Sequence, residues 1–118
     1  MKAFKSFLFE SSGSRTLEAI GEGMMRRIIR EYCRENECFP RIEDLSDLMY
    51  DYLADCSYVK SENAAERLDD GMRQFGHKFD HIVLTGSDDE LLEFLIKEIR
   101  LSRNLANKLV KERPEDLY

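Results

Sequence analysis

An all-α fold, a small bundle of about five helices, is predicted by three features of this sequence. Apolar residues recur at three- and four-residue intervals almost throughout. Helix-opening polar residues precede several of those runs, and no pair of alternating segments offers strand partners. Charged residues make up 36% and apolar residues 42%, a balance suited to heavily charged helix faces around a packed core.

The elements follow in order. Near the start, Phe4, Phe7 and Leu8 share one helical face, and Ser11-Ser12-Gly13-Ser14 then interrupts the pattern. Ser14 is the expected cap of a long helix from about Arg15 to Asn36, with a stripe of Leu17, Ile20, Met24, Ile28 and Tyr32 widened by Met25 and Ile29. Gly21 and Gly23 either weaken its first turns, by about 1 kcal/mol each relative to Ala, or permit a close helix contact. Pro40 suits the first turn of a third helix, which reaches about Cys56 with Ile42, Leu45, Leu48, Met49, Tyr52 and Leu53 inward.

Asn63 followed by Glu66 resembles a capping box for a fourth helix, carrying Ala64, Leu68, Met72 and Phe75 and stopped by Gly76. The run His81-Ile82-Val83-Leu84-Thr85 is the one place suited to a short strand; lacking a partner strand, it reads as a buried loop or helical turn. Ser87 with Glu90 forms a cleaner capping box, opening a last helix that runs to about Arg113 before Pro114. Leu91, Leu92, Leu95, Ile96, Ile99, Leu105, Leu109 and Val110 supply its core face. No repeat or linker divides the 118 residues, so 11–118 reads as a single helical domain, with 1–10 a separate N-terminal helix or peptide.

The net charge of −6 disfavours non-specific binding to nucleic acid or to an anionic membrane, and favours a basic partner. No apolar run approaches the roughly 18 residues of a membrane span. The first ten residues lack the continuous apolar stretch and cleavage site of a secretory leader. Three cysteines, Cys33, Cys38 and Cys56, without regular spacing suggest a reducing, cytoplasmic setting.

Chemistry-bearing clusters are sparse. His77 and His81 lie four apart with Asp80 adjacent, and zinc would need a cysteine to complete the set. No Cys-x-x-Cys pair exists, and Cys33 and Cys56 fall near apolar helix faces, where Cys packs as a small hydrophobe. Pairing Cys38 or Cys56 with His77 or His81 as a nucleophile and base finds no local motif in support. Gly21-Glu22-Gly23 lacks the third glycine and preceding strand of a dinucleotide site. The expectation is a protein without catalytic activity, metal or cofactor.

Charge ridges carry more information. Arg26, Arg30 and Arg34 recur every four residues on one helix, and Asp47, Asp51 and Asp55 do so on the next, beside Glu43 and Asp44. Like charges at this spacing cost an isolated helix a few tenths of a kcal/mol per pair, so something offsets the repulsion or uses it. One account pairs the two ridges across neighbouring helices as surface ion pairs. The other makes Asp44, Asp47, Asp51 and Asp55 a partner-docking surface. From Glu43 to Asp70 there are nine acidic and two basic residues, a net of −7. Carboxylates one turn apart could imitate a row of phosphates for an enzyme that reads DNA.

The segment Met1-Lys2-Ala3-Phe4-Lys5-Ser6-Phe7-Leu8-Phe9-Glu10 matches every position of the pattern Met-Lys-x-aromatic-x-x-Phe-Ile/Leu-x-Glu. In this it resembles the capsid-targeting peptide of internal head proteins from T-even-type bacteriophages, over ten of 118 residues. The resemblance implies docking onto a prohead scaffold and cutting by a prohead protease after Glu10 of the Leu8-Phe9-Glu10 site, at the Glu10–Ser11 bond. It also implies packaging in the virion and delivery to the host cytoplasm, where some such proteins inhibit restriction enzymes. The expected function is therefore a head-packaged inhibitor of a host defence enzyme, working by protein–protein contact with no direct nucleic-acid binding. The alternative is an immunity protein or antitoxin that neutralises a toxin in the cytoplasm.

Overall fold

The computed structural model describes residues 16–54 and 62–115, which form five helices and no strand. They are α1 (Leu17–Asn36), α2 (Ile42–Ala54), α3 (Glu62–Thr85), α4 (Asp88–Lys97) and α5 (Arg103–Lys111). The predicted N-terminal helix lies outside the described residues, as do Ser14 and Cys56. No described helix is long and apolar enough to cross a membrane.

Local chemistry sets the helix ends. Thr16, not Ser14, caps α1, its hydroxyl oxygen accepting the Ala19 N–H at 3.1 Å. Ser87 caps α4 as predicted: it accepts the Glu90 N–H and donates its hydroxyl to Glu90 Oε1, both at 3.2 Å. Pro40 stands just ahead of α2 and not in its first turn. The chain enters that helix through Arg41, whose carbonyl accepts the Leu45 N–H at 3.0 Å.

Two sequence expectations about α3 are corrected, and of the two readings of His81–Thr85 the helical turn holds. The fourth predicted helix does not stop at Gly76, and Asn63 lies inside it, so the Asn63–Glu66 pair does not mark its start. Phe75, Phe79 and Val83 continue the buried stripe at four-residue intervals, and this packing outweighs the glycine's propensity cost. His81–Thr85 is therefore the final turn of α3, with Val83 fully buried.

The predicted last helix is two helices. The Ile99 N–H reaches back to the Phe94 carbonyl and the Leu101 N–H to that of Leu95, while Arg100 takes a left-handed φ of 63°. Ile99 and Leu101 both bury at this turn, and Ser102 then caps α5 by accepting the Leu105 N–H. The apolar spacing Ile99, Leu101, Leu105 already departs from the helical period.

The buried residues form one core to which all five helices contribute. Its centre is aromatic: Phe75 stacks on Phe94 at 5.8 Å between centroids, and Phe79 meets Phe39 edge-on at 6.0 Å. The most extensive helix contact is between α1 and α3. Two glycines bring these helices to backbone contact, Gly21 against the Leu68 carbonyl and Gly71 against that of Glu18. A Cβ at either position would overlap the opposing backbone, whereas one at Gly23 would meet nothing within 4 Å. The same crossing carries Arg67, which donates to both Glu18 carboxylate oxygens at 2.6 and 3.2 Å.

Two outcomes follow for stability. Gly21→Ala and Gly71→Ala should each lower stability by about 1–3 kcal/mol through overpacking, while Gly23→Ala should be neutral or stabilise by up to about 1 kcal/mol; chemical denaturation measures all three. The Arg67 hydrogen bond and the helix's own N–H hold the Glu18 carboxyl down at about 2, from an ordinary 4.5. A depressed carboxyl contributes stability above its unfolded value and loses it as pH falls, here between about 4.5 and 2. Glu18→Gln should flatten the fall in melting temperature across that window.

Candidate functional site

The basic ridge does not face the acidic one. Arg30 Nε donates to the Ile99 carbonyl at 2.7 Å, and Arg34 donates to the Arg100 carbonyl at 3.4 Å. Arg26 lies over the Phe75 ring, 4.7 Å from its centroid, with Nε 3.5 Å from Glu98. All three arginines thus converge on the turn that ends α4, where unsatisfied carbonyls and the helix dipole favour positive charge. Burial, then the charges of Arg34 and Arg100, pull the Arg30 guanidinium below its ordinary value. Of the two accounts of the ridges, ion pairing between them is not found among the described residues, where the arginines hold the end of α4 instead.

The acidic residues of α2 divide. Asp44 is half-buried and engaged: its Oδ2 accepts the Arg41 N–H at 3.1 Å and the Tyr32 hydroxyl at 3.2 Å. It acts at the α2 N-terminus, where a carboxylate is favourable. Burial, then the Asp44 charge, push the Tyr32 phenol up to about 12. Asp47 and Asp51 are exposed, and among the described residues no ion pair reaches either of them or Glu43. Asp55 lies outside the described residues, as do Leu8, Glu10 and Ser11 of the processing site.

Tyr50 stands between Asp47 and Asp51 and is 78% exposed, the one large apolar residue so exposed among those described. Sequence reading passed over it because position 50 falls off the Leu45–Met49–Tyr52 stripe. That displacement was itself the available signal. An exposed tyrosine is an efficient anchor in protein interfaces, presenting a broad ring at low entropic cost.

A groove of about 60 Å³ runs along the other edge of α2, between Met25 of α1, Leu45 and Met49 of α2, and Gly76 and Asp80 of α3. Ser46, Arg73 and His77 also line it. Asp80 Oδ1 is buried without a hydrogen-bond partner, and burial pushes its carboxyl up, opposed in part by His77. Arg73 is held by Asp69 at 2.7 Å.

His77 and His81 are both exposed on α3, and among the described residues no three His, Cys, Asp or Glu side chains are placed to hold a metal ion. Cys33 is fully buried and its thiol is pushed up to about 12 by burial, which makes it a poor nucleophile. Cys38 is exposed. No family model matches the chain, and no match is found among curated proteins or solved structures.

The two ridges should respond oppositely to neutralisation. Arg30→Ala removes a charged donor from a partly buried carbonyl and should cost about 1.5–3 kcal/mol. Asp47→Asn with Asp51→Asn should be neutral or stabilise by a few tenths of a kcal/mol, because it relieves repulsion one turn apart. Urea denaturation of both variants reads the difference.

Proposed function

We propose that this chain is a binding protein whose outer α2 face, formed by Glu43, Asp47, Tyr50 and Asp51, covers a basic surface on a partner protein. One observation carries the reading. Asp47 and Asp51 repel each other one turn apart and flank an exposed tyrosine, while the arginines that could have neutralised them hold the end of α4. Such a local cost, unrelieved among the described residues, is characteristic of a surface kept for a partner.

The resemblance at Met1–Glu10 supplies the biological setting. The chain is a phage protein docked to the prohead scaffold, released by cleavage at Glu10–Ser11, packaged in the virion and delivered to the host cytoplasm. There the acidic face blocks the nucleic-acid groove of a defence enzyme such as a restriction nuclease, by electrostatic and steric occlusion. It acts through protein contact, without catalysis, cofactor or direct nucleic-acid binding. An immunity protein or antitoxin in the cytoplasm is the second reading, in which residues 1–10 are a structural helix of the domain.

Capture of a partner from host lysate, followed by titration with variants, tests the surface. Asp47→Lys with Asp51→Lys should weaken binding by tenfold or more, about 1.4 kcal/mol, and Tyr50→Ala by a comparable factor, with melting temperatures unchanged. Unchanged affinity would remove the face from the function. Mass spectrometry of purified virions tests the setting, with a protein beginning at Ser11 expected. Its absence, or an intact Glu10–Ser11 bond, would favour the immunity reading, in which deleting residues 1–10 destabilises the fold.

A further inference from the structure

The exposed face of α3 carries a pair of imidazoles that the outer face of α2 does not use. Because α3 runs unbroken through Gly76 to Thr85, His77 and His81 stand one turn apart on a regular helix. Phe75, Phe79 and Val83 hold that stretch by burying its opposite side, and both histidines are exposed. Helical residues four apart set their Cβ atoms about 5–6 Å from each other. Side chains lean toward the helix N-terminus, so His81 tilts back toward His77.

Thr85 continues the row. Its hydroxyl donates to the His81 carbonyl at 2.6 Å, which commits its only proton. The 3.4 Å contact between the Thr85 hydroxyl oxygen and His81 Nε2 is then favourable when Nε2 carries the hydrogen. That tautomer leaves Nδ1 of His81 as the free lone pair. The cations nearest along the helix are engaged elsewhere. Arg73 Nε lies 2.7 Å from Asp69, and Lys78 Nζ lies over the Phe94 ring and 3.9 Å from Glu98. Asp80 is close enough to interact with His77, and adds negative charge beside the pair.

We propose that His77 and His81 form a two-imidazole site for a divalent transition metal ion of the class that includes Ni(II), Cu(II) and Zn(II). Imidazole nitrogen selects these ions, whereas Mg(II) and Ca(II) take oxygen donors. Among the described residues no third His, Cys, Asp or Glu joins the pair, so the remaining coordination positions fall to water or to an external ligand. That is an open, exchangeable surface site and not a closed structural zinc centre. Lys78 follows His77 where a hydrolytic helix would carry a glutamate base, so the pair binds a metal without hydrolytic chemistry. The site is independent of the partner-binding face, and its test needs no partner.

Titration of the full chain with Ni(II), followed by ¹H–¹⁵N correlation spectra, tests the site. Saturable paramagnetic broadening centred on His77 and His81 is expected, with no response to Mg(II). His77→Ala and His81→Ala should each weaken Ni(II) by about tenfold or more, because one of two linked donors is lost. Lys78→His added to His81→Ala keeps two imidazoles but turns one off the shared face, and should not restore binding. Cys38→Ser, and Asp47→Asn with Asp51→Asn, should leave it unchanged. All these positions are exposed, so melting temperatures without metal should stay level. Broadening centred elsewhere, full affinity in either histidine variant, recovery in the Lys78→His variant, or loss in Cys38→Ser would each overturn the site.

Discussion

The rest of the structure depends on how closely α1 and α3 approach. At Gly21 and Gly71 the two backbones touch, with the Leu68 and Glu18 carbonyls where side chains would otherwise stand. Contact this close fixes the rotation of α1 as well as its position. Met24, Met25, Ile28 and Ile29 then face the core, and the arginine ridge is aimed at the turn after α4. A larger residue at either glycine would move α1 outward, and interiors packed to crystal-like density do not absorb such shifts easily.

From that rotation follows the division of charge. The turn between α4 and α5 contains neither glycine nor proline, places Arg100 at positive φ, and presents backbone carbonyls that need donors. Arg30 and Arg34 supply them. At the other end of α4 Arg113 does similar work, its guanidinium bonding the Val83 and Gly86 carbonyls at 2.7 Å each while also reaching Asp88 at 3.0 Å. Arg30, Arg34 and Arg113 thus act as helix terminators, and among the described residues no ion pair reaches Asp47 or Asp51 on the outer face of α2.

Helix positions were legible in the sequence wherever a single stripe persisted, as from Leu17 to Tyr32, and wherever a cap stood clear, as at Ser87. Ends fixed by tertiary packing were not. Gly76 resembles a stop, but the burial of Phe79 and Val83 carries α3 past it. The break near Arg100 has Ser102 as a local marker of the next helix start, but the carbonyl donors that hold the turn come from α1, about 70 residues earlier in the chain. At Gly21 the sequence is compatible with a weak point or a contact, and the difference from Gly23 depends on where Leu68 lies. For the candidate site, spacing alone placed Asp47 and Asp51 together on one face. It could not show that Asp44 is engaged by Tyr32, or that Asp80 and Met25 line one groove beside α2, since both facts are made by packing between separate helices.

The central claim is that the two charge ridges serve different ends: Arg30 and Arg34 hold the fold, and Asp47 and Asp51 do not pair with them. A double-mutant cycle on stability measures this directly, with Arg30→Met and Asp47→Asn as the single changes. The structure predicts additivity within about 0.5 kcal/mol, as for independent sites. A coupling energy of about 1 kcal/mol or more would mean that the ridges pair in solution, and would contradict the account.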